Sequence, residues 1–181
     1  MRKEIYKKIE IPEGIEAEID GATVKIKGPE GENIRKFKTG SLEFKKEGNT
    51  IILGRKKSTK KEKKIINTFV AHINNMILGV QKKFEYDLKA VFSHFPMTIE
   101  AKGHEVIIKN FLGERVPRKT TIPKGVEITL NGNVIKIKST DRELAGQAAA
   151  NLETVTKIRL RDRRIFQDGI FITKKPGRIL E

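Results

Sequence analysis

Hydrophobic positions along the chain fall into two rhythms that occur twice in the same order. Ala22-Thr23-Val24-Lys25-Ile26-Lys27 and Val134-Ile135-Lys136-Ile137 alternate apolar with polar residues, the period of half-buried strands. Asp20-Gly21 and Asn131-Gly132 sit beside them as two-residue hairpin signals. Each half then changes to a helical period. In the first, Ile65, Phe69, Ile73 and Ile77, with Ile66 and Val70 beside them, recur until Gly79, which reads as a C-cap. In the second, Leu144, Ala148, Leu152 and Val155 trace a narrower stripe, while Ala145, Gly146 and Ala149 make one flank small enough for close approach. Both helices open on Thr-x-x-Glu, at Thr59 to Glu62 and Thr140 to Glu143. There a Thr hydroxyl and a Glu carboxylate can satisfy the free N–H groups of a first helical turn.

The two halves also match residue by residue, at an offset of about 80 positions, which suits a duplicated small domain rather than a solenoid. Ile11-Pro12 leading to Ile15-Glu16-Ala17 is echoed by Phe95-Pro96 leading to Ile99-Glu100-Ala101. Val24 to Lys27 with Gly31-Glu32 is echoed by Val106 to Lys109 with Gly113-Glu114, and Gly48-Asn49-Thr50-Ile51 by Gly132-Asn133-Val134-Ile135. Phe84, Tyr86, Leu88, Ala90 and Phe92 form a further alternating run. The reading is therefore α+β, with two tandem duplicated domains, each of antiparallel hairpins packed against one main helix. Residues 1–80 form the first domain, 81–172 the second, and 173–181 a flexible basic tail.

Charge narrows the function. Among 181 residues, 38 Lys+Arg against 23 Asp+Glu leave a formal net charge of +15, a field that favours nucleic acid or an anionic membrane. No apolar run lasts long before a charge interrupts it, so a membrane fits poorly. Met1-Arg2-Lys3-Glu4-Ile5 leads into an alternating segment rather than the apolar core of a secretory signal, which predicts a cytoplasmic protein. With no Cys, disulfides and thiolate metal sites are excluded.

Positive charge is densest in three places. Arg55-Lys56-Lys57, Lys60-Lys61 and Lys63-Lys64 surround the first helix start, where cations oppose the helix dipole; a solubilising face and an RNA contact both fit them. Arg115, Arg118 and Lys119 follow the loop Asn110-Phe111-Leu112-Gly113-Glu114, a candidate RNA contact. Lys157, Arg159, Arg161, Arg163 and Arg164 lie beyond the second helix, and their planar guanidinium groups suit phosphates and base faces. Ile165 to Phe171 would anchor that segment, and Lys174, Lys175 and Arg178 would extend the contact into the tail.

Catalysis finds no support. His72 falls within the first helix, His94 before Phe95-Pro96 and His104 beside Gly103, without metal-ligand spacing, so each reads as packing or a turn. No Walker loop and no G-x-S-x-G occurs, and Gly28-Pro29-Glu30-Gly31 lacks the spacing of a dinucleotide site. No catalytic residue, metal or cofactor is expected.

Several blocks taken together resemble large-subunit ribosomal protein six, the L-six family, in its archaeal and eukaryotic form. They are Val24 to Gly31, His72 to Val80, Val91-Phe92-Ser93-His94-Phe95-Pro96, Ile108 to Glu114 and Arg164-Ile165-Phe166-Gln167-Asp168-Gly169-Ile170. Arg163 to Gly169 stands where the bacterial branch typically carries a Pro-Glu-Pro-Tyr segment, which points away from bacteria. The resemblance implies a non-enzymatic constituent of the large ribosomal subunit that binds large-subunit rRNA mainly through its second domain. It also implies a position near the stalk base and the sarcin-ricin region, beside neighbouring ribosomal proteins and visited by translation factors. A free-standing RNA-binding module or RNA chaperone is the alternative.

Overall fold

The computed structural model describes residues 3–38, 40 and 42–180, with Lys3 described through its backbone alone. Met1 and Arg2 of the charged start and Glu181 of the expected tail lie outside the described residues. The chain divides into two units between Lys83 and Phe84. The expected boundary near residue 80 therefore falls within a helix, because that helix continues to Gln81.

The first unit runs β1 (Lys3–Glu10), β2 (Glu16–Asp20), β3 (Thr23–Gly28), β4 (Gly31–Lys36), β5 (Glu43–Glu47), β6 (Thr50–Ser58) and α1 (Lys60–Gln81). Two antiparallel sheets, ordered β2-β3-β4 and β1-β6-β5, share the apolar face of α1. Val24, Ile26, Ile51, Ile73 and Val80 meet there with no exposed surface. Thr59 caps α1, its hydroxyl accepting from the Glu62 N–H while the Glu62 carboxylate accepts from the Thr59 N–H at 2.6 Å. Gly79 is not the C-cap. It is buried inside the last turn, and the helix ends at extended Lys82, whose N–H donates to the Leu78 carbonyl. The helix continues because Val80 still fills the core, and Gly28 of β3 makes room for it: a Cβ there would lie 2.9 Å from the Val80 carbonyl oxygen.

The second unit repeats this order with β7 (Phe84–Val91), β8 (Thr98–Lys102), β9 (Glu105–Lys109), β10 (Arg118–Thr121), β11 (Glu127–Asn131), β12 (Val134–Ser139) and α2 (Arg142–Val155). Its sheets are β8-β9-β10 and β11-β12-β7-β13-β14, the last two strands being β13 (Gly169–Lys175) and β14 (Arg178–Ile179). The duplication extends to loop geometry: Gly48 and Gly132 open equivalent two-residue turns at φ +58° and +59°, a region closed to most side chains. One difference sets the halves apart. In the first unit β1 ends its sheet, whereas in the second the equivalent strand β7 is covered by β13.

Three expectations are corrected here. The cap of α2 is Asp141, whose carboxylate accepts from the Glu143 N–H at 2.8 Å, one residue beyond Thr140; Ser139, buried, spends its hydroxyl on the Gly125 carbonyl. The buried face of α2 joins Ala148 and Leu152 of the expected stripe to Ala145 and Ala149 of the small flank, while Leu144 and Val155 stay half-buried. Gly146 explains the close approach, since a Cβ there would meet the Tyr86 hydroxyl at 3.1 Å. Finally, residues 173–180 are not a flexible tail. Pro176-Gly177 turns the chain, with Gly177 at φ +78°, so that Lys174 and Lys175 pair with Ile179 and Arg178.

Candidate nucleic-acid interface

The Arg-rich segment 157–167 leaves the end of α2 and returns to the sheet at β13, and a buried polar residue pins each end. At the start, the Thr156 hydroxyl donates to the Leu152 carbonyl at 3.2 Å and accepts from the Ile170 N–H at 2.9 Å, which ties the helix end to β13. At the far end Asp168, 1% exposed, holds the chain after β7. Its Oδ1 lies 3.0 Å from both the Ser93 hydroxyl and His94 Nδ1 and accepts from the Ser93 N–H at 3.2 Å, while Oδ2 accepts from the His94 N–H at 3.3 Å. Burial alone would raise the Asp168 carboxyl, but the hydrogen bonds from His94 and Ser93 outweigh it and hold the group below its ordinary value.

Between the pins the backbone is ordered by its own residues. Asp162 accepts from the Arg164 N–H through its carboxylate at 2.9 Å and from the Phe166 N–H through its carbonyl at 3.0 Å, closing a turn. That turn aims Phe166 inward, where its ring stacks on His94 at 4.9 Å and 27°. The Arg161 guanidinium lies over the same Phe166 ring at 5.0 Å. Asp168, His94, Phe166 and Arg161 thus form one continuous series from a buried carboxylate to an exposed cation. Lys157, Arg159, Arg163 and Arg164 are exposed, and among the described residues none of them makes an ion pair or a side-chain hydrogen bond. Lys157, Arg163, Phe166 and Phe171 also line a recess of about 780 Å³, which combines cations and aromatic faces as single-stranded nucleic acid requires.

The chain matches the family model described as ribosomal protein L6 over residues 11–83 and again over 95–169. The chain belongs to the ribosomal protein L6 family. It is 44% identical over 171 residues to large ribosomal subunit protein uL6 of Methanobrevibacter smithii, covering 94% of this chain and 96% of that protein. To the uL6 proteins of Archaeoglobus fulgidus and Sulfurisphaera tokodaii it is 41% identical, over 96% and 94% of this chain and 92% of each relative. The two family matches fall on the two structural units, so the repeat in sequence, the repeat in fold and the repeat in the family coincide.

As a member of the L6 family the chain is not an enzyme, and the Ser93, His94 and Asp168 cluster has a different geometry from a nucleophilic triad. A catalytic histidine receives the nucleophile on one ring nitrogen and the carboxylate on the other. Here the Ser93 hydroxyl and the Asp168 carboxylate both face Nδ1, at 3.1 and 3.0 Å, so the arrangement clasps rather than relays. Among the described residues no helix is long and apolar enough to cross a membrane.

The remaining candidates divide by what their cations do. Arg118 sits on β10 with its guanidinium turned inward. It makes a bidentate pair with Glu114 at 2.8 and 2.6 Å, donates to the Val155 carbonyl at 2.7 Å and the Lys157 carbonyl at 3.4 Å, and lies 4.2 Å over the Phe111 ring. The sequence reads Arg118 as an RNA contact; in the fold its donors bind Glu114, beside the 3₁₀ turn at Phe111–Gly113, to carbonyls at and just beyond the end of α2, which lack helical partners. The Arg118 hydrogen bond, with its charge, holds the Glu114 carboxyl below its ordinary value. Phe111 and Leu112 of that turn are core residues. Arg115 is exposed without an ion pair among the described residues, and Lys119 is exposed with its ammonium 3.9 Å from Glu105. Lys174 and Lys175 project from the β13–β14 hairpin, exposed. In the first unit Arg55 pairs with Glu62, while Lys60, Lys61, Lys63 and Lys64 are exposed.

Sequence reasoning missed the clasp and the stack. His94 and Asp168 lie 74 positions apart, so no local pattern could join them. Leu160 was missed as well: it stands fully exposed at φ +57° between Arg159 and Arg161.

Proposed function

We propose that the protein is a structural component of the large ribosomal subunit, in the cytoplasm, where it binds and organises large-subunit rRNA. The observation that carries this reading is the pinned segment 157–167, where exposed Lys157, Arg159, Arg163 and Arg164 make no ion pair or side-chain hydrogen bond among the described residues while Thr156 and Asp168 fix its ends. Cations on a fixed frame lose little conformational entropy when they meet phosphates, and folded RNA presents phosphates in a fixed pattern. Arg115 and Lys119, with the hairpin lysines Lys174 and Lys175, would extend the contact from the same unit. The function is mechanical: neutralising phosphates where RNA segments converge and holding those segments in place. The site in the subunit would be the stalk base near the sarcin-ricin region, beside other ribosomal proteins and met transiently by translation factors.

Binding to a folded large-subunit RNA fragment carrying the sarcin-ricin region, titrated against salt beside an unrelated folded RNA of equal length, tests this. A strong preference with a steep salt slope is expected, and equal binding to both RNAs would favour a free RNA-binding module or chaperone. Arg161→Ala with Arg164→Ala should weaken binding to the fragment and flatten its salt dependence. Lys61→Ala should do less, and equal losses would overturn the assignment of binding to the second unit.

A further inference from the structure

We propose that Arg161, laid over Phe166 and through it on His94, is a platform on which one unstacked RNA base is captured between the guanidinium face and solvent. The proposal rests on the RNA-binding reading above and gives it a specific ligand: a base face rather than a phosphate. Two facts distinguish Arg161 from its neighbours in the same segment. Its guanidinium is laid on an aromatic ring at 5.0 Å, whereas Arg159, Arg163 and Arg164 have no ring contact among the described residues. Its side chain also makes no hydrogen bond among the described residues, so the ring beneath it and the charge of Glu114 orient it while the donors at its edge stay available. A guanidinium held over a ring on one side leaves its other side to a partner, and Arg planes are among the surfaces on which splayed RNA bases stack.

The bed beneath the arginine is built to stay still. Phe166 is half-buried, its N–H is held by the Asp162 carbonyl at 3.0 Å, and its ring rests on His94 at 4.9 Å. His94 is fixed in turn at both its N–H and Nδ1 by buried Asp168. Four groups in series therefore spend the ordering entropy before RNA arrives, an expense without structural return at an exposed arginine. Leu160, fully exposed at φ +57°, immediately precedes Arg161 in the chain. Phe166 and His94 are positioning residues here; Arg161 alone would touch the ligand.

The test uses the full chain and the same two RNAs, the sarcin-ricin fragment and the unrelated folded RNA. Arg161→Lys keeps the charge and loses the plane. The platform predicts about a tenfold loss of affinity for the fragment, the scale of one stacked base, with the salt slope unchanged. Phe166→Leu, which keeps an apolar filler, should lose a similar factor, and the double variant should lose no more than either alone because both act through one stack. Retained affinity in Arg161→Lys, within about twofold, would overturn the platform even if the wild-type protein prefers the fragment. Additive losses in the double variant would overturn it too. If the wild-type protein binds both RNAs equally while Arg161→Lys weakens both, the platform stands as a sequence-blind stacking site and the ribosomal reading fails instead.

Discussion

Replacing Asp168 by Asn changes one oxygen to an NH₂ group and tests the clasp directly. In the native protein Oδ1 accepts from the Ser93 N–H and lies within hydrogen-bonding distance of the Ser93 hydroxyl and His94 Nδ1, while Oδ2 accepts from the His94 N–H alone. Asparagine keeps one acceptor. If its oxygen takes the Oδ1 position, an NH₂ donor faces the His94 N–H, which is left unsatisfied in a part-buried site at a cost of roughly 1–2 kcal/mol. The other interactions lose the charge of the acceptor, which roughly halves their strength and adds about half a kcal/mol each, so the total is about 3 kcal/mol. At about 1.4 kcal/mol per factor of ten, the slowest amides of β7 and β13 should exchange with solvent deuterium roughly a hundredfold faster at neutral pH. Amides of β3 and β6 in the other unit should not change.

The pH dependence supplies a second reading of the same variant. The folded Asp168 carboxyl lies below its ordinary value, so its contribution is fully present above the unfolded value, near 3.9, and is lost as pH falls through the lower folded value. The stability gap between wild type and Asp168→Asn should therefore be widest at neutral pH and close in strong acid. A change in β7 exchange of less than about threefold, or a gap that is flat with pH, would refute the clasp as the anchor of the Arg-rich segment.

Gly54→Ala should destabilise the first unit by about 2–3 kcal/mol, because the added Cβ would lie 2.3 Å from the Ile5 carbonyl oxygen and 2.4 Å from the Tyr6 ring and force β1 away from β6; segment-resolved hydrogen exchange should show the loss in β1 and β6 and none in α2. Arg118→Ala should lower the unfolding temperature of the second unit by several degrees, since it strips the Val155 and Lys157 carbonyls and Glu114 of a shared partner, whereas Arg115→Ala should leave the melting curve in place and weaken RNA binding. The reverse ranking in a thermal melt paired with an RNA titration would return Arg118 to the list of direct RNA contacts.

What was legible in the sequence is what short-range physics controls. Alternation at Val24 and Ile26, repeated at Val106 and Ile108, marks buried strand faces because a strand shows its two sides in turn. The Thr59 to Glu62 box marks a helix start because its hydrogen bonds span three residues. The duplication and the excess of cations needed no coordinates, since both are properties of the chain as written. Near-local choices were already less certain: Asp141 rather than Thr140 caps α2, and Gly79 stays inside α1, because burial of Ser139 and Val80 decided between neighbouring candidates.

Only the tertiary structure could separate one arginine from another. Arg118 and Arg115 are three positions apart and chemically identical, yet one is drawn inward by carbonyls that the end of α2 leaves free and the other faces water. Arg161 is singled out by Phe166, whose ring is held by His94, which in turn is held by Asp168 immediately before β13, the strand that covers β7 where the first unit leaves β1 at its sheet edge. A side chain's charge is fixed when the sequence is written. Whether that charge is spent on the protein or left for a partner depends on which carbonyls, carboxylates and rings the fold brings within hydrogen-bonding or stacking distance, and those come from residues remote along the chain.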